Sequence, residues 1–361
     1  MRPIALLAGP FLCGFAVLAA CSSNERSSGF EDPAGSSGAA GSSGGFGGAE
    51  AGTGKPCVPD PANYDIPGNN CDDDGDGTVD NPPSCDDGLS QNGSAEDFAR
   101  AIGICTKASD KGYGLVSATF TRGYNRNDAP KAEQHGVLPK FGNVIKPREG
   151  KTLGVLSTGF AQEFNGAPGE PFGGISGGEP NGKDWYNSLF QINGSGAAPP
   201  GFPKAAQGCQ QRNVVHDVIN LKLELKAPRN ASGVKFDFNF YSGEWPAYIC
   251  TPFNDGFIAY LSAKGFNGGT PDNMSFDKDK NPVSVNNGFF DRCTPNVEVG
   301  CAGQSTKQSQ CPGGTAELEG TGFGQTGKWC SQFGGNDTSV NGGATGWLTS
   351  QEIGRASCRE R

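Results

Sequence analysis

Aspartate residues alternate along a short loop between two cysteines, at Asp72, Asp74 and Asp76, and Gly77 follows them. Carboxylates at the first, third and fifth positions of such a loop converge on one cation, and a glycine at the sixth permits a sharp turn. Every candidate ligand is a hard oxygen, which favours calcium over transition metals. The spacing therefore predicts a calcium site.

Two later positions extend the predicted ligand set of this module, which spans residues 57–90. Thr78 offers its backbone carbonyl at position seven, and Asp80 stands at position nine. Position twelve is Pro83 instead of the usual glutamate, so the bidentate ligand is missing. Residues 69–72, Asn-Asn-Cys-Asp, resemble the core of a metal-binding motif of bacterial surface proteins. The alternative is a solvated acidic turn, although crowded carboxylates repel one another without a cation.

Two further constellations have residue types that do chemistry. Glu244, Asn254 and Asp255 offer oxygen atoms for a second, weaker calcium or polar-ligand site. The alternative is that the Asn-Asp pair hydrogen-bonds the backbone of a tight turn. Residues 174–178, Gly-Ile-Ser-Gly-Gly, match a nucleophile elbow, so a secreted hydrolase using Ser176 and His216 is a rival hypothesis. That motif requires a strand before it and a helix after it, whereas these residues predict a glycine-rich loop.

The N-terminus predicts export. Residues 1–20 begin with a positive charge and continue as an apolar run too short to span a bilayer, as in a signal peptide. Residues 18–21, Leu-Ala-Ala-Cys, resemble the lipobox of bacterial lipoproteins, which implies cleavage before Cys21 and lipidation of that cysteine. The resemblance extends to Ser22, which implies sorting to the outer membrane. Localisation is therefore expected at the bacterial outer membrane or cell surface.

Residues 21–56 are rich in glycine and serine and have few apolar side chains to bury. Such a composition is typical of a flexible tether between an anchor and a folded domain. The formal net charge of the chain is −9, which favours divalent cations and argues against nucleic acid as a partner.

Cysteine usage agrees with export. Of 13 cysteines, Cys13 lies in the signal peptide, Cys21 is the expected lipid site and Cys358 lies in the last ten residues. The ten others are Cys57, Cys71, Cys85, Cys105, Cys209, Cys250, Cys293, Cys301, Cys311 and Cys330. An even number in an exported chain predicts disulfides, whose pairing the spacing leaves open.

The remaining chain is patterned mostly as strands. Ser94 followed by Asp97 predicts a capped short helix. Apolar residues alternate over residues 219–225 and again over 234–240, which predicts an antiparallel hairpin with one buried face. The predicted fold class is mainly β, a jelly-roll-like antiparallel β-sandwich with long glycine-rich loops and one short helix. Further strands are expected at residues 153–157, 257–261 and 346–349.

Three stretches resemble the choice-of-anchor L family of exported bacterial proteins. The central one is residues 236–257, FDFNFYSGEWPAYICTPFNDGF, and the others are 154–159, GVLSTG, and 343–349, GATGWLT. The resemblance covers most of a domain at 94–351. It implies no established enzymatic activity, and it implies closing strands after residue 351.

Residues 352–361, EIGRASCRER, resemble the translation of a widely used sequencing adapter. We expect them to be an artefact and the domain to be incomplete. The leading functional hypothesis is a lipid-anchored surface binding or adhesion module with a calcium-supported structure. Its expected partners are the outer membrane, through the anchor, and a polysaccharide or a cell-surface protein. The rivals are the hydrolase and a purely structural envelope protein.

Overall fold

The computed structural model describes the greater part of the chain after residue 56. The described residues are 57–159, 161, 196–245, 249–252, 254–276, 281–287, 289–296, 298–299, 307–321, 323 and 342–353. The predicted signal peptide, Cys21, the tether and Ser176 lie outside this set.

The described residues form one α-helix and twelve strands. The helix α1 is Ala95–Ala101. The strands are β1 (Gly114–Thr121), β2 (His135–Leu138), β3 (Leu153–Leu156), β4 (Asn220–Lys226), β5 (Gly233–Ser242), β6 (Gly256–Phe257), β7 (Tyr260–Leu261), β8 (Asp272–Asn273), β9 (Val283–Ser284), β10 (Glu298–Val299), β11 (Lys307–Gln308) and β12 (Gly343–Ile353). The chain is therefore mainly β, as its alternating pattern predicts.

The helix begins where the sequence predicts. The Ser94 hydroxyl accepts a hydrogen bond from the Asp97 amide at 3.1 Å, and the Asp97 carboxylate accepts one from the Ser94 amide at 2.8 Å. This reciprocal pair satisfies two amides that the first turn leaves without helical partners. The capping prediction is confirmed, and the helix buries Phe98 and Ala99 against the sheet beside it.

The two long alternating segments form strands β4 and β5, but the predicted hairpin between them is wrong. Strand β4 pairs with β1, and β5 pairs with β12. The reason lies in the cores that the two apolar faces join. The leucines of β4 pack beneath α1, whereas Phe240 and Tyr241 of β5 pack in a separate cluster around Trp245. Alternation shows which face is buried and leaves the partner strand open.

The described strands pair two by two, in six antiparallel sheets. The pairs are β1–β4, β2–β3, β5–β12, β6–β9, β7–β8 and β10–β11. We call β1–β4 and β5–β12 the two principal sheets. The last strand continues through Glu352 and Ile353, which pair with Val234 and Gly233, two residues beyond the expected domain boundary at 351.

Four disulfides join eight of the ten cysteines expected to pair. They are Cys57–Cys71, Cys85–Cys105, Cys209–Cys250 and Cys293–Cys311, with Cα–Cα distances of 4.6–5.5 Å. Cys301 and Cys330 lie outside the described residues. Each bridge joins positions at most 41 residues apart. The bridges therefore restrain local loops and leave the long-range strand pairing to the apolar cores.

Candidate metal centre

Three of the five predicted calcium ligands converge. Asp72, Asp74 and Asp76 each place a carboxylate oxygen within 4.8 Å of the other two. The first two side chains are half-buried and the third is exposed. Among the described residues this is the one group of three or more acidic, histidine or cysteine side chains close enough to share an ion. The arrangement offers three hard oxygen ligands and leaves further coordination positions to water and backbone carbonyls.

The Asp72 carboxylate shapes the loop. It accepts hydrogen bonds from the amides of Gly75 at 2.8 Å, Asp76 at 3.1 Å and Gly77 at 3.0 Å. The two glycines have φ values of 75° and 96°, a left-handed conformation that a side chain disfavours. A Cβ at Gly75 would also lie 3.2 Å from the Cβ of Pro59. These glycines let the loop turn back on itself and bring its aspartates together.

A buried residue that the spacing did not single out holds both ends of the loop. Asp65 is fully buried, and its carboxylate accepts the amide of Asp73 at 3.0 Å and the amide of Asn81. Asp73, which lies between Asp72 and Asp74 in sequence, does not belong to the converging group. Its carboxylate accepts hydrogen bonds from the Ile66 backbone amide at 3.1 Å and from the Asn69 side chain at 2.7 Å. Asp65 and Asp73 therefore fix the backbone without joining the converging group, whereas Asp72 does both.

Asp80 belongs to the backbone-fixing kind. Its carboxylate accepts the amides of Asn69 at 3.0 Å and Asn70 at 3.2 Å, so the structure places it outside the three-carboxylate group. Thr78 contacts the group through its amide, which donates to Asp76 at 2.8 Å. A linear pattern does not reveal which carboxylates the backbone uses. The roles of the Asp80 carboxylate and the Thr78 carbonyl as ligands stay predictions.

Within the group of three carboxylates, the pKa values of Asp74 and Asp76 shift in opposite directions. Burial raises the pKa of the Asp74 carboxyl above its ordinary value, and the charges of Asp76 and Asp72 act in the same direction. Hydrogen bonds from the Asn81 side chain, at 2.9 Å, and from the Thr78 amide lower the pKa of Asp76. A divalent cation would relieve the repulsion that Asp74 experiences. Asp74 is therefore the position where protons and cations compete most directly.

The second predicted site is organised differently. The Ser242 hydroxyl donates to the Asp255 carboxylate at 2.8 Å and accepts the amide of Glu244 at 3.1 Å. The Asn254 side chain accepts the Asn286 amide at 3.2 Å and donates to Gln211 at 3.1 Å. Within the described part of the chain, the side chains of Asn254 and Asp255 therefore bond to groups in distant segments and not to the backbone of their own turn. The second site stays a prediction.

Near this set lies Asp217, which sequence reasoning missed. Burial raises its pKa to about 6; the charge of Asp255 adds to this rise, and Arg122 opposes it. One carboxylate oxygen of Asp217 is buried with no hydrogen-bond partner among the described residues. The backbone of Asp217 has a φ of 53°, in the left-handed region. No motif surrounds it, because its burial arises from segments far apart in the chain.

One of the two residues of the hydrolase hypothesis lies among the described residues. His216 is exposed in the segment before β4, while Ser176 lies outside the described residues. The nucleophile elbow therefore stays a prediction from sequence.

Comparisons with known proteins return no relative for this chain. No family model, no curated protein and no solved structure matches it. Among the described residues, none of the helices has the length and apolar character needed to cross a bilayer.

Proposed function

We propose that this chain is a lipid-anchored binding or adhesion module of a bacterial outer-membrane surface. Its acidic loop binds calcium through Asp72, Asp74 and Asp76. Its binding partner is a surface polysaccharide or cell-surface protein, and its anchor is the lipid on Cys21. The lipobox, the tether and the resemblance to choice-of-anchor L domains support the anchoring and surface role. We assign it no enzymatic activity.

The observation that carries the calcium proposal is the convergence of three carboxylates in a loop shaped by backbone amides. All three ligands are oxygen atoms, which suits a hard cation. Calcium tolerates irregular coordination, whereas magnesium requires near-ideal octahedral geometry and keeps its water. Sites on extracellular modules bind calcium with dissociation constants of about 10⁻⁴–10⁻³ M, a range that three carboxylates and no bidentate glutamate would give.

The disulfides support an exported location. Bridges such as Cys85–Cys105 persist in oxidising compartments and are rare in the cytosol. We further propose that the two principal sheets belong to a jelly-roll-like sandwich. A crystal structure of the full chain would test this. Two sheets that do not pack face to face would contradict it.

Calorimetric titration of the full chain with calcium tests the metal site. Wild type should bind one ion per chain, and Asp74→Asn should weaken binding at least tenfold because one charged ligand is lost. Asp110→Asn is the matched control, since Asp110 is exposed and outside the group. No heat at millimolar calcium, or equal affinity in Asp74→Asn and the control, would contradict the proposal.

Mass spectrometry of the membrane fraction tests the anchor. The mature N-terminal peptide should begin at Cys21 and carry a diacylglyceryl group. A peptide with unmodified Cys21, or a mature protein that begins elsewhere, would show that the lipobox is not used.

A further inference from the structure

The turn between β4 and β5, residues 227–232, is hydrogen-bonded to residues 60–64 at the start of the Asp-rich module. The Asn230 side chain accepts the Tyr64 amide at 2.9 Å and donates to the Tyr64 carbonyl at 2.7 Å. One asparagine thus binds both backbone groups of one residue, as a neighbouring strand would. These two contacts join positions 166 residues apart in the chain.

The adjacent turn residue makes a second pair of contacts. The Arg229 amide donates to the Ala62 carbonyl at 2.9 Å, and its guanidinium lies 2.6 Å from the Asp60 carboxylate. Ala62 is buried, whereas the Arg229 side chain is 71% exposed. The ion pair is therefore a minor term beside the backbone hydrogen bond.

The same module segment holds the backbone of the acidic loop. The Asp60 amide donates to the Asp73 carbonyl at 2.8 Å, and the Asn63 side chain donates to that carbonyl at 3.2 Å. The buried Asp65 carboxylate accepts the Asp73 amide. Because Asp73 stands between Asp72 and Asp74, hydrogen bonds through residues 60–65 connect the turn indirectly to the backbone that carries the converging carboxylates.

The position of this turn gives the contacts their consequence. Strand β4 belongs to one principal sheet and β5 to the other, so residues 227–232 are the covalent link between the two sheets. A segment that fixes this link restrains how the sheets sit relative to each other. In a hairpin, ladder hydrogen bonds would hold the two strands directly. Strands β4 and β5 do not pair, so the link between them depends on contacts with another segment.

We propose that residues 57–81 form a brace that fixes the link between the two principal sheets, and that a cation at the acidic loop tightens this brace. The second half of this proposal rests on the calcium binding proposed above. The first half rests on the contacts of Arg229 and Asn230 alone. The module thereby restrains the link between the two sheets.

Amide hydrogen exchange on the full chain reports the brace directly, because the Arg229 and Tyr64 amides donate across the interface. Asn230→Ala removes both hydrogen bonds to Tyr64, so protection of the Arg229 amide should fall on the order of tenfold. Asn213→Ala is the control, since Asn213 is exposed and lies in another segment. Asn230→Asp, which keeps the acceptor for Tyr64, should fall between the two.

Calcium provides the second arm. In wild type, calcium should raise protection of both the Gly77 amide in the loop and the Arg229 amide in the turn. In Asn230→Ala it should raise protection of Gly77 alone. Equal Arg229 protection in Asn230→Ala and Asn213→Ala without calcium would overturn the brace. Protection of Gly77 without any change at Arg229 in wild type would overturn the coupling. No change at Gly77 would overturn the calcium site, and the calcium-free comparison would still judge the brace.

Discussion

Two acidic regions of this chain contrast in how their carboxylates come together. In the Asp-rich loop, Asp72, Asp74 and Asp76 are neighbours in sequence and are placed by amides of the same loop. In the second region, Asp217 and Asp255 come from separate segments and influence each other electrostatically. The first region organises charge at the surface, where a cation has access. The second has negative charge that the fold itself disfavours.

The contrast teaches how to separate binding residues from structural ones. A carboxylate whose oxygens are taken up by backbone amides, such as Asp65 or Asp80, has become part of the scaffold. A carboxylate beside two others whose hydrogen bond from a backbone amide reaches one oxygen, such as Asp74, keeps its other oxygen for a cation. Three measurements can break or sharpen this distinction.

The largest effect is expected at the buried scaffold residue. Asp65→Ala leaves the amides of Asp73 and Asn81 without their acceptor, which should destabilise the folded chain by about 3 kcal/mol. Chemical denaturation measures this loss, with the exposed Asp110→Asn as control. Calcium affinity should also fall, because Asp65 no longer holds the two ends of the loop through the amides of Asp73 and Asn81. A variant as stable as the control, with unchanged calcium affinity, would show that Asp65 does not organise the loop.

A smaller effect of opposite sign is expected at Asp217. Its pKa of about 6 in the folded chain lies above the ordinary value of 3.8, so the folded state favours the protonated form. The contribution of Asp217 to stability is therefore fully present below about pH 4 and is lost as pH rises through about 6. Asp217→Asn removes the charge, and asparagine tolerates the left-handed backbone at this position.

This substitution should raise the free energy of unfolding at pH 7.5 by about 1 kcal/mol. One pKa unit corresponds to about 1.36 kcal/mol, and the full value is reduced here because solvent screens the charge of a half-buried group. It should have no effect at pH 4. Denaturation midpoints across this pH range provide the measurement. Parallel profiles for wild type and variant would mean that Asp217 titrates like an ordinary surface carboxyl.

The smallest effect concerns competition between protons and calcium in the loop. Because the pKa of Asp74 is raised, protons should displace calcium at a higher pH than ordinary aspartates would allow. The calcium affinity of wild type should therefore decline as pH falls from 7 towards the ordinary aspartate pKa of 3.8, and the decline should begin earlier than for an unshifted aspartate. Titrations in Asp110→Asn should show the same decline. An affinity independent of pH over this range would place Asp74 outside the ligand set.

The sequence predicted the features that depend on neighbours along the chain. The cap on α1 requires only Ser94 and Asp97, and the strands require only period-two alternation. The three converging aspartates follow from a spacing of two residues. In each case the interacting groups lie within a few positions, so local geometry determines the outcome.

The features that escaped prediction depend on distant partners. Strands β4 and β5 each pair with a segment more than 90 residues away, and their alternation was equally compatible with a hairpin. Asp80 was predicted as a ligand from its ninth position in the loop, and the spacing did not reveal that its carboxylate accepts amides about ten positions earlier. Asp217 carries no motif, since its altered pKa arises from burial by other segments.

The Cys57–Cys71 bridge lies immediately before the first proposed ligand of the loop, Asp72. In a reducing environment the two cysteines stay as thiols, and hydrogen bonds such as that from the Asp60 amide to the Asp73 carbonyl are left to join the start of the module to the acidic loop. Under the proposed export, this covalent restraint on the loop would form only in the oxidising compartment. Calcium titration with and without dithiothreitol would show whether affinity depends on the bridge.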